Sequence, residues 1–252
     1  MNDIHFKISH PGVRAHGGFT LVELMVAITI ALFLLGGLLA TVQSTRRAYG
    51  NQNSLSQLQD NQRLAMTLMS DVIQTAGYFP NPSANTAALV LPADATFAVA
   101  GQPIVGTYNA AAPGDTMSIR YDVGTAPDNA LNCIGTVVTG VSVNLFKVDA
   151  NKNLVCTFAG TDYTLISSTV QNGVRIGVES MSVLYGVKAN GADTGSCADT
   201  YLRADQVQAG AFWNSICSVR LTLNFTNPIT PGAAQISIVR LIALMNTAGV
   251  NS

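Results

Sequence analysis

The chain changes its hydrophobic pattern twice. From Phe19 to Val42 it runs apolar on every side, and Glu23 is the only charged residue in that stretch. At ~1.5 Å per residue the run spans ~36 Å as a helix, enough to cross a hydrocarbon core of ~30 Å with some tilt. After Asn53 the pattern becomes one-sided. Leu55, Leu58, Gln62, Ala65, Met69, Val72 and Ala76 follow a three-four spacing, and Leu64, Leu68 and Ile73 widen the stripe. That is an amphipathic helix with one face to bury. Gly36-Gly37 could soften the helix, but the first firm stop is Gly77, with Pro80 and Pro82 beyond it. A helix from Phe19 to Ala76 would be on the order of 87 Å long. Its first half suits packing against like helices and its second half suits packing on a globular head. A coiled-coil seam is the other reading of the Leu/Met stripe, and two or three heptads are short for one.

Beyond the helix, residues 79–103 are rich in Pro, Ala, Asn and Thr and read as a connecting loop. Strand signals follow. Cys217, Val219, Leu221, Leu223 and Phe225 alternate with Ser218, Arg220, Thr222 and Asn224, so one face should be buried and one wet. Ile119, Tyr121 and Val123 alternate with Arg120 and Asp122 in the same way. Met181, Val183, Tyr185 and Val187 alternate more weakly with Ser182 and Leu184. Residues 137–148 and 154–158 flank the turn cluster Asp149 to Asn153 and read as a hairpin. A last strand is expected over 235–244. One-sided alternation favours an antiparallel sheet laid on the amphipathic half of the helix, an α+β fold. The expected division is a leader, 1–18, then a long helix, 19–77, with its membrane segment at 19–42, then a β-rich head, 78–252.

Composition narrows the function. The 252 residues carry 11% charged side chains and a net charge of -1, which argues against a nucleic-acid binder. Arg46, Arg47 and Arg63 read as solvated helix residues, the first two suited to a headgroup boundary. All three histidines, His5, His10 and His16, precede Gly17. A cut there would leave no histidine, and so neither the commonest general base nor a common metal ligand. The same cut removes two bases, Lys7 and Arg14, and one acid, Asp3, taking the net charge from -1 to -2. Four cysteines remain: Cys133, Cys156, Cys197 and Cys217. None forms a CxxC pair, which weakens zinc and thioredoxin readings. An even number at wide spacing beyond a membrane-type segment points to disulfides in an oxidising compartment. Of three possible pairings, Cys133–Cys156 with Cys197–Cys217 is favoured because each bond closes a short loop.

A cleaved secretory signal would have an apolar region of only ~7–15 residues. A plain signal anchor explains the length of the run but neither Glu23 nor the glycine pair before Phe19. The positive-inside rule gives a tie, with Lys7 and Arg14 on one side and Arg46 and Arg47 on the other. The cysteines break it by placing the C-terminal part outside the cytoplasm.

Gly18-Phe19-Thr20-Leu21-Val22-Glu23 ahead of an apolar helix resembles the N-terminal signal of type IV pilins and type II secretion pseudopilins. The resemblance implies cleavage between Gly18 and Phe19 by a membrane prepilin peptidase, and methylation of the new N-terminus at Phe19. It also gives Glu23 a role in assembly. A carboxylate at the bilayer centre costs ~2.5–3.5 kcal/mol on insertion scales. Glu23 lies only ~6 Å along the helix from Phe19, so it can reach toward the interface. In a dry bundle of helices it needs a cation, and the family's answer is the Phe19 amine, usually a neighbouring subunit's. In the head, the stretch from Val178 to Gly186, the loop to Tyr201, Ile216 to Phe225 and a close at Asn246 resemble PilW-type minor pilins, as does Ala76-Gly77-Tyr78-Phe79.

That resemblance implies a minor pilin at or near a filament tip, involved in starting assembly and presenting an adhesin. Its partners would be other minor pilins, the major pilin, the prepilin peptidase, the inner-membrane assembly machinery and a tip adhesin. It would sit in the inner membrane with its N-terminus cytoplasmic and its head periplasmic, then in the extracellular pilus. No enzyme activity, cofactor or metal is expected. Asp149, Asn151 and Asn153 begin like a calcium loop, but Leu154 stands where glycine is needed and Gly160 where glutamate is needed. Asn190, Asp193 and Asp199 are a second, weaker calcium candidate. Trp213 and Phe212 read as core. The rival readings are a type II secretion pseudopilin and a filament-borne receptor for DNA or a surface; the latter needs a basic or aromatic patch on the head.

Overall fold

The protein is represented by a computed structural model that describes residues 17–125, 130–171, 174–189, 197–230 and 232–246. The chain divides into two units, the first ending at Gly50 and the second starting at Asn51. Helix α1 (Leu21–Thr75) runs through that division and continues without a break at Gly36 and Gly37. In the first unit its apolar side chains are exposed from Leu21 to Val42.

In the second unit α1 buries Leu58, Ala65, Met66, Met69, Val72 and Ile73. This is the expected stripe with departures: Leu64 is exposed, Leu55, Gln62 and Leu68 are only half-buried, and Met66 and Ser70 take core positions instead. The helix ends as the glycine requires. Gly77 has φ 73°, a left-handed conformation that costs glycine little. Its N–H donates to the Arg120 carbonyl at 3.0 Å. The Asn246 amide covers the last carbonyls, with Nδ2 at 3.4 Å from the oxygens of Gln74, Thr75 and Ala76.

A short helix, α2 (Ala87–Val90), interrupts the loop after α1. The head then forms two principal sheets where one was expected. The first has five antiparallel strands in sequence order: β1 (Ile104–Thr107), β2 (Thr116–Asp122), β3 (Val141–Val148), β4 (Leu154–Phe158) and β5 (Thr161–Ile166). A small ribbon, β6 (Thr169–Gln171) with β7 (Val174–Ile176), leads to the second sheet. That sheet is ordered β11-β10-β8-β9, from β8 (Val178–Val187), β9 (Thr200–Leu202), β10 (Ile216–Phe225) and β11 (Ile236–Ala243). Helix α3 (Ala204–Ala209) and a 3-10 turn (Trp213–Ser215) lie between β9 and β10. One apolar cluster joins the buried face of α1 to residues of both sheets, among them Ile119, Phe146, Tyr185 and Leu221.

The β3–β4 hairpin and β10 follow the sequence pattern, with the odd-numbered side chains of β10 buried from Cys217 to Phe225. Strand β2 does not. Its polar side is buried too, because the segment 91–102 folds over it. Arg120 is 1% exposed and spends its donors on that segment. Nε donates to the Gln102 carbonyl (2.7 Å), Nη1 to Pro92 (2.6 Å), and Nη2 to Leu91 (3.1 Å) and Val99 (3.2 Å). The guanidinium also stacks on Phe97, 4.3 Å from the ring centroid. What reads as a connecting loop is therefore a folded lid held by one arginine.

Two disulfides staple the head. Cys133 is bonded to Cys156 and Cys197 to Cys217, across 23 and 20 residues of sequence. Loops of this size are worth ~3 kcal/mol each in the chain-entropy account.

Candidate functional site

Gly17 to Thr20 precede the first helical turn and are exposed. Nothing lies within 4 Å of where a Cβ on Gly18 would sit. Among the described residues, then, the fold places no steric demand on that glycine. Phe19 is 84% exposed, so its ring is not packed among the described residues.

The helix start holds a feature that the sequence analysis passed over. Thr20 is the residue before α1, and its Oγ1 accepts the Glu23 N–H at 3.3 Å. Its carbonyl accepts the Leu24 N–H at 3.2 Å. Threonine at the N-cap with glutamate three residues on is the spacing of a capping box. The signal was in the string Thr-Leu-Val-Glu itself. Glu23 therefore suits the positive end of the helix by its position, whatever else it does.

Among the described residues no cation pairs with the Glu23 carboxylate. In this chain the Phe19 nitrogen is a neutral peptide amide and offers the Glu23 carboxylate no charge. The threonine hydroxyls further along the helix bond to its own backbone. Thr29, Thr41 and Thr45 donate to the carbonyls of Val26, Leu38 and Thr41 at 2.8–2.9 Å. Glu23 is thus the one ionisable group in an apolar run whose other polar side chains are satisfied within the helix. α1 is long and apolar enough to cross a membrane.

No group of three or more His, Cys, Asp or Glu gathers among the described residues. Asp149 closes a hairpin turn: its Oδ1 accepts the N–H of Asn151 and of Asn153, both at 2.8 Å, and its Oδ2 accepts Asn153 Nδ2 at 2.8 Å. Those oxygens are committed to the turn. Asn190 and Asp193 lie outside the described residues, and Asp199 Oδ1 accepts the Ala189 N–H at 2.9 Å. Trp213 is core. It packs edge-on against Tyr185 at 5.2 Å, and its Nε1–H donates to Gln208 Oε1 at 2.7 Å.

Two families match this chain. Residues 143–232, from β3 past the end of β10, match the family described as Type IV Pilus-assembly protein W. Residues 13–39, which include Gly18, Phe19 and Glu23, match the prokaryotic N-terminal methylation motif. No curated protein matches the chain in sequence. Among solved structures, a type IV-like pilin from Thermus thermophilus is 13% identical, over 75% of this chain and 96% of that one, with a TM-score of 0.39. A chain of the GspK–GspI–GspJ complex from the enterotoxigenic Escherichia coli Type 2 Secretion System is 11% identical, over 76% of this chain and 97% of that one, with a TM-score of 0.34.

Proposed function

We infer from this chain, a type IV pilin of the PilW family by both of its matched regions, that it works as a minor structural subunit at or near the tip of a pilus. It would enter the inner membrane through the segment 19–42, with its N-terminus cytoplasmic and its head periplasmic. Prepilin peptidase would then cut between Gly18 and Phe19 and methylate Phe19. Cleavage converts an amide into an amine, and only then does Glu23 have a cation to meet. A filament grown from such helices has one satisfied axial register, since an unpaired carboxylate in a dry bundle is costly. Priming of assembly with other minor pilins, and presentation of a tip adhesin, follow as its proposed roles.

The observation that carries this reading is the register of Gly18, Phe19 and Glu23 at the mouth of the apolar helix, within the matched motif and on one chain with the matched head. The test is the N-terminus of the protein recovered from sheared filaments. Methylated Phe19 is expected. Recovery of chains that still carry residues 1–18 overturns the reading. Gly18→Ala should accumulate precursor without disturbing the fold, because the site is sterically open. A type II secretion pseudopilin shares the N-terminus and helix. A deletion strain that keeps its pili and loses protein secretion would select that alternative.

A further inference from the structure

Strand β11 is the outer strand of its sheet. It pairs with β10 from Ile236 to Ala243, and no described backbone group bonds to its other edge. Such an edge offers a row of unpaired N–H and C=O groups, which proteins usually blunt or cover. Here the side chains beside it are apolar and open, with Val239 57% and Leu241 61% exposed. Against the same strand lies a groove of about 320 Å³, formed with α1 and lined by Gln62, Arg63, Met66, Ile238, Val239 and Arg240.

The groove's lining, which also includes Gln59, carries two cations and no carboxylate. Arg63 and Arg240 both line it, and neither forms an ion pair with a described acid. Two guanidiniums facing one space repel each other. Gln62 lines the groove too, and its Nε2 is buried without a hydrogen-bond partner among the described residues. A carboxylate placed in the groove would pair with both guanidiniums. A backbone laid along β11 would satisfy the open edge, and apolar side chains on it would cover Val239 and Leu241. These requirements describe one object, an extended acidic segment.

We propose that the β11–α1 groove is the docking site for an extended segment of a different pilin subunit, which adds as a strand to β11 and seats a carboxylate between Arg63 and Arg240. This rests on the filament-subunit reading above. A second copy of the chain fits poorly: β11 carries no acid, and pairing two copies edge to edge would bring Arg240 near Arg240. Nucleic acid fits poorly too. Affinity for phosphates grows with the number of cations engaged, and here there are two, on a chain of net charge -1.

The test uses the full-length protein in its own cells, with a photo-crosslinking amino acid at Val239 or, as a control, at Tyr163 on the outer strand of the other sheet. Filaments are sheared after irradiation and the adducts mapped by mass spectrometry. Position 239 should link to an Asp- or Glu-bearing segment of another subunit that starts with the same N-terminal motif; position 163 should not. Arg63→Glu with Arg240→Glu should cut the adduct at least about tenfold, while the double Lys variant keeps most of it. An unchanged unfolding midpoint for the Glu variant separates lost docking from lost fold. An unchanged adduct yield in that variant overturns the proposal, as does a link from 239 to a second copy, to nucleic acid or to a protein without the motif. A chain present in filaments but giving no adduct at 239 overturns the docking site alone. A chain absent from filaments overturns the filament reading and this one together.

Discussion

Arg120 and Asp94 meet at 3.4 Å, and the Arg120 side chain is 1% exposed while that of Asp94 is 48% exposed. The asymmetry decides what each is worth. Arg120 serves four carbonyls besides the carboxylate, so its loss strands buried acceptors on segment 91–102. Asp94 is solvated, and screening leaves its ion pair little. Its Oδ1 is occupied instead in a local turn, accepting the N–H groups of Thr96 and Phe97.

Arg120→Ala should therefore destabilise the head by about 3–5 kcal/mol, and Asp94→Asn by under about 1 kcal/mol. Arg120→Lys should recover little, since one ammonium cannot reach four carbonyls set around a planar fork. Urea unfolding of the full chain in detergent, followed by circular dichroism, checks the order. Equal losses for Arg120→Ala and Asp94→Asn would make the ion pair, and not the carbonyl clamp, the source of stability.

Glu179 carries an acid-side prediction. Partial burial pushes its carboxyl up, but hydrogen bonds from Lys152 Nζ and Thr226 Oγ1, both at 2.6 Å, and the Lys152 charge outweigh it, so the net shift is downward from 4.5. A folded value below the unfolded one means the unfolded chain takes the proton first. The stabilisation is complete above about 4.5 and is lost as pH falls through the lower folded value. Glu179→Gln should flatten the slope of stability against pH in that acid window, with little change in slope near neutrality. A slope that survives the substitution would assign the acid sensitivity to other carboxylates.

Tyr185 and Gly106 make a second packing test. The Tyr185 hydroxyl is fully buried and finds no hydrogen-bond partner among the described residues, and burial pushes its pKa up. Tyr185→Phe keeps the ring against Trp213 and removes the orphan group, so it should raise stability by about 1 kcal/mol. A Cβ on Gly106 would strike that hydroxyl and come within 2.6 Å of the Thr116 carbonyl. Gly106→Ala should cost about 1–3 kcal/mol. In the Tyr185→Phe background the cost should shrink, because one of the two collisions is gone. A double-mutant cycle with no coupling would show that the Thr116 carbonyl alone sets the penalty.

Local signals carried much of this fold into the sequence. Gly77 stops α1, Asp149 to Asn153 turn a hairpin, and the odd-numbered residues of β10 face the core, each because a short-range rule decides it. What escaped depends on distance along the chain. Arg120 reads as the wet side of a strand until residues 91–102, 18–29 positions earlier, are seen to cover it. The single expected sheet is two, because alternation marks which side chains face inward and is silent on which strands pair. Arg63 reads as a solvated helix residue; the groove it shares with Arg240 arises from segments 177 positions apart. The N-terminal motif was the most legible part, since Gly18, Phe19 and Glu23 lie within six residues and inside the matched stretch 13–39. Even there the Thr20 cap on Glu23 went unread, although its spacing was in view.

That cap gives the final prediction its form. Glu23 has two physical reasons to sit where it does: it stands three residues inside a threonine-capped helix start, and it is the ionisable group that a Phe19 amine could neutralise after cleavage. The backbone bond from Glu23 N–H to Thr20 survives any substitution except proline, and glutamine supports a capping box about as well as glutamate. Glu23→Gln therefore keeps both the backbone bond to Thr20 and a polar side chain at the third helical position and removes only the charge, while Glu23→Ala keeps the backbone bond and removes the side chain's polar group together with the charge. If charge sets the register, the two variants should insert in the membrane and be processed normally, and both should be depleted in sheared filaments by about tenfold or more, the factor that 1.4 kcal/mol of mispairing would produce. If capping is the reason, Gln should assemble like the parent and Ala alone should fail. The ratio of filament to membrane-bound protein for the two variants, measured side by side, separates a helix-start residue from an assembly residue.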